Sequence, residues 1–366
     1  MTEPGRRVQA AADAAGHGRR PIEARASPEG WHGACVDLGL RLIPACGSFR
    51  HGCRRATGQG DAVVRAETVI GTASGDTLRG ETLRDDRCRE TPCDEDATFA
   101  ANRARGRIRL AAALRSGATR RTAVYEEGSL RVRFPAPARP TARLDAVLVN
   151  TAGGIAAGDT ADIDVTVAAG ADLRITTASA EKVYRSHGPA AAVAVRLAVG
   201  AGARLAWLPR ETILFDRARL DRIIEVDLAA DARLVLAEAV VLGRAGMDEV
   251  VTSGRLVDRW RVRRDGRLLH AEGLRLDGAV AARLAEPAVA AGGIALATLL
   301  TVPADEALVA AVQGGAVPLS GEAGASSWNG RSAVRFCAPD GDTLRRDLTA
   351  VLTVALAGAL PPLWTN

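Results

Sequence analysis

The sequence predicts a mainly β protein: a layered, helicoidal, β-solenoid-like body of stacked strand-turn-strand units, with about two helices near the C-terminus. Three observations carry this prediction. Apolar and polar residues alternate with period two through most of the chain after about Phe99, as in "DIDVTV" from Asp162. A strand-turn-strand pattern recurs at a spacing of about 30 residues. Helical spacing of apolar residues is confined to two stretches close to the end.

Residues 1–97 have a different character. "AAGHGRRPIEARASPEGWHGACVDLG" and "GTASGDTLRGETLRDDRCRETPCDED" hold no sustained period, because Gly, Arg, Pro and Asp interrupt every apolar run. Such a segment buries too little apolar surface to offset its ordering entropy. It is expected to be a disordered extension, or translated sequence upstream of the true start, with one β-rich domain over 98–366. Five of the six cysteines lie in it: Cys35, Cys46, Cys53, Cys88 and Cys93. Cys46, His51 and Cys53 are close neighbours, but the paired knuckles of zinc modules are missing.

From about Phe99 the strands follow in order. "GRIRLAAAL", "RTAVY" and "SLRVRF" read as strands, with Glu126-Glu127-Gly128 as a hairpin turn between the last two. "LDAVLVN" is a further strand and "TAGGIAAGD" a turn-rich connection. The repeat comes next: "DIDVTVAAGADLRITT", "VAVRLAVGAGARLAWLP" and "IIEVDLAADARLVLAEA" each read strand, small-residue turn, strand. The apolar residue just after each turn is Leu173, Leu205 and Leu234, at separations of 32 and 29 residues. A fixed period means stacked copies of one unit, each burying a face that its neighbours supply. Within a strand, alternation points Val165 and Val167 one way and Asp164 and Thr166 the other.

"GRLVDRWRVRRDGRLLHAEGLRLDG" continues the strands, with Asp265-Gly266 as its hairpin turn. "PADEALVAAVQ" opens with Pro303 and two acidic residues, a helix-start signature. "GDTLRRDLTAVLTVALAGAL" has helical spacing at Leu344, Leu348, Val351 and Leu352, with Asp342 as its N-cap. The prolines of "PPLWTN" prevent that helix from continuing.

Composition narrows the function classes. Apolar residues make up 47%, charged residues 25% and aromatics 3%, and the formal net charge is +5. The charges are mixed in sign, with no basic stripe interleaved with aromatics, so nucleic acid is not an expected partner. There is no apolar run of 18 residues, so no membrane span is expected. The first residues lack an apolar signal core, which makes the cytoplasm the expected location.

Tests for catalytic chemistry find little. "TAGGIAAGD" is glycine-rich but lacks the G-K-[ST] and following helix of a P-loop, and reads as a tight inter-strand turn. There is no G-x-S-x-G nucleophile elbow. After residue 97 the only cysteine is Cys337 and the histidines are His187, in a Gly-Pro turn, and His270, on a strand and readable as a packed core residue. These offer no fixed metal cage. Carboxylates are plentiful at Asp159, Asp162, Asp164, Glu181, Glu211, Asp216 and Glu238, most of them read as surface charges or turn formers. Lys182, in "AEKVYRS", is the only lysine among 48 Lys+Arg.

"LVNTAGGIAAGD", "TTASAEKVYRS", "LAWLPRETILFDRARL", "LAEAVVLGRAGM" and "DRWRVRRDGRLLHAEGLRLDG", in that order, resemble the UreD (UreH) family of urease accessory proteins. The resemblance covers about residues 98–366. It implies a non-catalytic chaperone of nickel-urease maturation with a helicoidal β fold and no tightly bound cofactor. It implies partnership with UreF, through UreF with the GTPase UreG, and docking on the urease apoprotein. Nickel(II) would pass through transiently, along a tunnel.

Motif by motif, the resemblance makes Asp159, in the "AAGD" turn, a lining carboxylate of that path, together with Glu181 and Glu211. Gly153, Gly154, Gly158, Lys182, Tyr184 and Arg185 fall on the family's motif segments. Here Ala157 stands where the family has glycine, and Arg210 departs from its usual pattern. A transit path needs weak, successive oxygen ligands, which release an ion as well as accept it. Salt bridges between repeats are the alternative for each of these residues. Adjacent strand residues face opposite ways, so Glu181 and Lys182 are not expected to share one face. Two other readings stand beside the chaperone. One is a β-solenoid polysaccharide-cleaving enzyme using Asp159, Glu181, Lys182 and Tyr184, against which the low aromatic content argues. The other is a β interaction module with no metal role.

Overall fold

The computed structural model describes residues 102–137, 141–186, 188–358 and 360–364. The N-terminal cysteines, the Cys46/His51/Cys53 group, His187 and the boundary near residue 97 lie outside the described residues.

The strands are β1 (Arg105–Arg115), β2 (Ala118–Glu127), β3 (Leu130–Arg133), β4 (Leu144–Asn150), β5 (Thr160–Val167), β6 (Asp172–Thr177), β7 (Glu181–Val183), β8 (Ala191–Val199) and β9 (Arg204–Leu208). Then come β10 (Thr212–Leu214), β11 (Arg219–Leu228), β12 (Arg233–Leu242), β13 (Gly254–Arg264) and β14 (Arg267–Gly278). The chain finishes with α1 (Val280–Ala285), β15 (Ala295–Val302), α2 (Glu306–Gln313), β16 (Glu322–Trp328), β17 (Arg331–Ala338) and α3 (Gly341–Ala355).

They form two sheets. The first has the order β14-β13-β11-β8-β5-β1-β2. The second has the order β16-β17-β15-β12-β9-β6-β4-β3, with β10 joining β12 to β7. Each sheet has a parallel centre, β1, β5, β8, β11 and β13 in the first and β4, β6, β9 and β12 in the second, flanked by antiparallel strands. Successive coils therefore run from the first sheet through a tight turn into the second and back, one rung per coil.

The 30-residue period is the register of this stack. Leu173 pairs with Leu205 and Leu205 with Leu234, so the three residues found after the turns form one buried row. Val165, Leu197 and Val226 form the facing row on the first sheet. The turns stack as well: Ala171, Ala203 and Ala232 donate to the carbonyls of Ala168, Gly200 and Ala229, each at 3.1 Å. Ala171, Ala203 and Ala232 are buried there, and Asp231 of the third turn accepts from the Gly202 amide at 2.8 Å. Full burial of each of these leucines and valines stabilises the fold by about 1.5–3 kcal/mol.

Beyond the second sheet, α2 and α3 cover its outer face with Leu308, Val312, Leu344, Leu348, Val351 and Leu352. This makes β12 apolar on both faces. The Asp265-Gly266 turn joins β13 to β14, with both residues at positive φ (49° and 73°), as a type I′ hairpin requires.

Three local expectations are corrected. Glu126-Glu127-Gly128 does not close a hairpin: β2 pairs with β1 in the first sheet, whereas β3 pairs with β4 in the second. The segment is a corner between sheets, where a Cβ on Gly128 would lie 1.5 Å from the Arg105 carbonyl oxygen. The N-cap of α3 is Asp340, accepting from the Thr343 amide at 2.7 Å, and Asp342 sits inside the first turn. Asp305 caps α2, so Pro303 precedes that helix. The two expected C-terminal helices are α2 and α3, and the six-residue α1, with Val280 and Leu284 buried, precedes them.

Candidate functional site

The two sheets meet at the stacked turns, and a cavity of about 260 Å³ lies between them toward the other end of the strands. It is lined by the first residues of β5, β8 and β11 and the last residues of β4, β6 and β9. Exposed Gly153, Ser179 and Lys182 mark its outer end, and buried Trp207, Arg222 and Glu238 its inner end.

The outer wall is built by "TAGGIAAGD" against "AEKVYRS". The Ile155 amide donates to the Lys182 carbonyl at 2.7 Å, and the Tyr184 amide to the Ile155 carbonyl at 2.9 Å. Tyr184 Oη donates to the Gly153 carbonyl at 2.8 Å, and its ring meets Phe215 edge-on. Gly154 is required there, because a Cβ would lie 2.4 Å from the fixed Tyr184 ring. Gly158 turns the chain at φ 76° into Asp159. Arg185 is exposed and bridges to Ala218.

Asp159 and Glu181 both line the cavity, in different roles. Asp159 is buried and accepts from the backbone amides of Ala104 (2.8 Å) and Ala156 (2.7 Å), so its carboxylate ties the turn to the start of β1. Glu181 accepts from Asn150 Nδ2 on both oxygens, at 3.2 Å each. Burial pushes the Glu181 carboxyl above the usual range, against the Asn150 hydrogen bond and the Lys182 charge. Lys182 is exposed while Glu181 and Val183 are not, which is the alternation expected of β7.

Glu211 is placed elsewhere. It is 2% exposed, is not among the lining residues, and accepts from Arg345 Nε of α3 at 2.6 Å, with Arg210 Nε 3.5 Å from its other oxygen. Burial opposes its ionisation, but these guanidinium groups outweigh that and hold its carboxyl below the usual range. Glu211 thus clamps α3 onto the second sheet.

At the inner end lies a cluster that the sequence reading passed over. Glu238 is no surface charge: it is 5% exposed, like Asp258, and both pair with Arg222. Trp207 Nε1 donates to Glu238 at 2.8 Å and Trp260 Nε1 to Asp258 at 3.2 Å. Burial pushes the Glu238 carboxyl up despite the Arg222 charge. The signal was alternation itself. Arg222 is in phase with Leu220, Ile224 and Val226; Asp258 with Leu256 and Trp260; Glu238 with Leu236 and Val240. A charge in the apolar phase marks an inward polar group.

His270 is 3% exposed, with Nε2 3.1 Å from Glu272 and Nδ1 accepting from Arg331, a packed core position. Among the described residues no three His, Cys, Asp or Glu side chains gather as a metal cage. Among them, too, no helix is long and apolar enough to cross a membrane.

Residues 104–364 match the family model described as UreD urease accessory protein. A urease accessory protein UreD of Rhodopseudomonas palustris (strain HaA2) is 52% identical over 270 residues, 74% of this chain and 96% of that protein. One of Bradyrhizobium diazoefficiens is 52% identical over 268 residues, 73% of this chain and 96% of that protein.

Proposed function

The chain belongs to the UreD family of urease accessory proteins, and from that premise we propose that it is the scaffold of a UreD-UreF-UreG complex that docks on urease apoprotein and assists GTP-dependent nickel insertion. Its relatives are named accessory proteins, not enzymes, and a role in urease maturation follows from the family. GTP hydrolysis falls to UreG, and the work is done in the cytoplasm.

The observation that carries the reading is the cavity between the sheets, with oxygen groups along it. Glu181 and Asn150 lie toward its outer end and Glu238 at its inner end. Nickel(II), as cargo, meets isolated oxygen donors in such a passage, and isolated donors release a divalent ion that a Cys/His cage would retain. Asp159, with each oxygen already on a backbone amide, keeps the entrance in shape. Polysaccharide cleavage would need two free carboxyls flanking an open cleft. Asp159 is not free in that sense.

A deletion strain supplied with nickel tests the role: urease activity should be lost and return with the gene. Activity that persists without it would refute the proposal. Complementation with Glu181→Ala should leave the partner complex intact and lower nickel loading of urease. Unchanged loading would favour an interaction module with no metal role.

A further inference from the structure

The Arg222 cluster joins the two sheets through one cation. Arg222, on β11 of the first sheet, pairs in register with Asp258 on the neighbouring β13. Its Nε and Nη2 donate to Asp258 Oδ1 and Oδ2, at 3.1 and 2.5 Å. Its Nη1 donates to Glu238 of β12 in the second sheet, and to Thr212 Oγ1 at 3.3 Å. Arg222, Glu238 and Asp258 are 6%, 5% and 5% exposed. Arg222 and Glu238 line the inner end of the cavity.

The charge count is unusual. Two carboxylates reach one point from two sheets, and one unit positive charge answers them. Burying a carboxylate without a counter-charge is expensive, so convergence of this kind is what a divalent cation exploits. Here the position is filled by a guanidinium, which stays charged in proteins. Two indole N–H groups hold one carboxylate each, and the Thr212 hydroxyl accepts from the guanidinium, which completes the shell. With both carboxylates charged, the cluster keeps one unit of negative charge but offers an entering cation no vacant pair of ligands.

We propose that Arg222 is a built-in cation occupying the point where Glu238 and Asp258 would otherwise hold a divalent metal, so that the inner end of the cavity passes such an ion without keeping it. Arg222 is a positioning residue in this sense: it sets what Glu238 offers to the cavity. The inference rests on the transit reading for its purpose. Its test does not, because it reads metal binding by the purified chain and involves no urease.

The full-length chain and its Arg222→Gln variant are titrated with nickel(II) by calorimetry and melted with chelator or with nickel(II). In R222Q the two carboxylates lose their counter-charge. The variant should melt lower than wild type in chelator and recover on adding nickel(II). It should also show one additional nickel site, at least about tenfold tighter than any the wild type shows at this point. Arg222→Lys, which keeps the charge, should show no added site. The triple variant R222Q/E238Q/D258N, which removes the whole cluster, should show neither the site nor the nickel-dependent recovery. A purely structural Arg222 would lower the melting point with no response to metal. An R222Q chain that is equally unstable with and without nickel(II), or that binds it no more tightly than wild type, overturns the proposal. So does a triple variant that binds as tightly as R222Q.

Discussion

Glu181 and Lys182 are neighbours on one strand and live in different media. Glu181 turns toward the cavity and is held by Asn150, whereas Lys182 is exposed. A lysine suits that rim because its compact ammonium on a flexible stem remains hydrated, where arginine would bring a rigid fork. The raised Glu181 carboxyl has a consequence for stability. The folded chain binds the Glu181 proton more tightly than the unfolded chain does. Its contribution is therefore most favourable at low pH and declines as pH rises from the ordinary carboxylate range through the raised folded value. Glu181→Gln removes that decline. Urea denaturation of both chains at several pH values should show the variant gaining on wild type as pH rises through this window. A difference that is flat or runs the other way would show that burial does not control this carboxyl.

At the scale of elements, the unit that matters is the coil: strand, tight turn, strand, return. Its inward rows are largely apolar, and Arg222, Glu238 and Asp258 interrupt them, Arg222 and Glu238 where the sheets leave space. The second element-level device is the C-terminal anchor. Glu211 holds Arg345 of α3, and Arg210 lies over the Trp364 ring. Trp364 is 4% exposed and its Nε1 donates to Thr176 Oγ1 (3.1 Å) and the Leu208 carbonyl (3.2 Å). The "PRE" of "WLPRETILF" is thus a docking point for the end of the chain. Trp364→Ala removes the ring and two hydrogen bonds, and should cost about 3–5 kcal/mol, read as a lower urea midpoint at unchanged slope. A cost below about 1 kcal/mol, the level of an ordinary surface change, would mean that the anchor carries no stability.

For the whole molecule, the family match begins at residue 104 and β1 at Arg105. A chain starting at Phe99 should therefore fold and melt within about 2 °C of the full-length protein, less than the shift that 1 kcal/mol produces at this size. A larger drop would show that the preceding residues contribute to the fold.

Much of this fold was legible because it is written in short periods. Period two declared the strands and their inward faces, and a period near 30 declared the stack, since each coil repeats one local pattern and lies on its neighbour in register. The strings that resemble UreD made the family legible as well, and the comparisons agree. The corner at Gly128 and the cap at Asp340 were misread because a turn or cap signal does not say which sheet or amide lies beyond it. What tertiary structure alone decided is which distant groups meet. Glu211, equal to Glu181 in the sequence, was drawn to Arg345 across 134 positions. Arg222, Glu238 and Asp258 were joined from two sheets at the end of a cavity. Local alternation settles that a side chain points inward. Only the packing of one sheet against the other settles whether it finds a partner, a helix or an open space there.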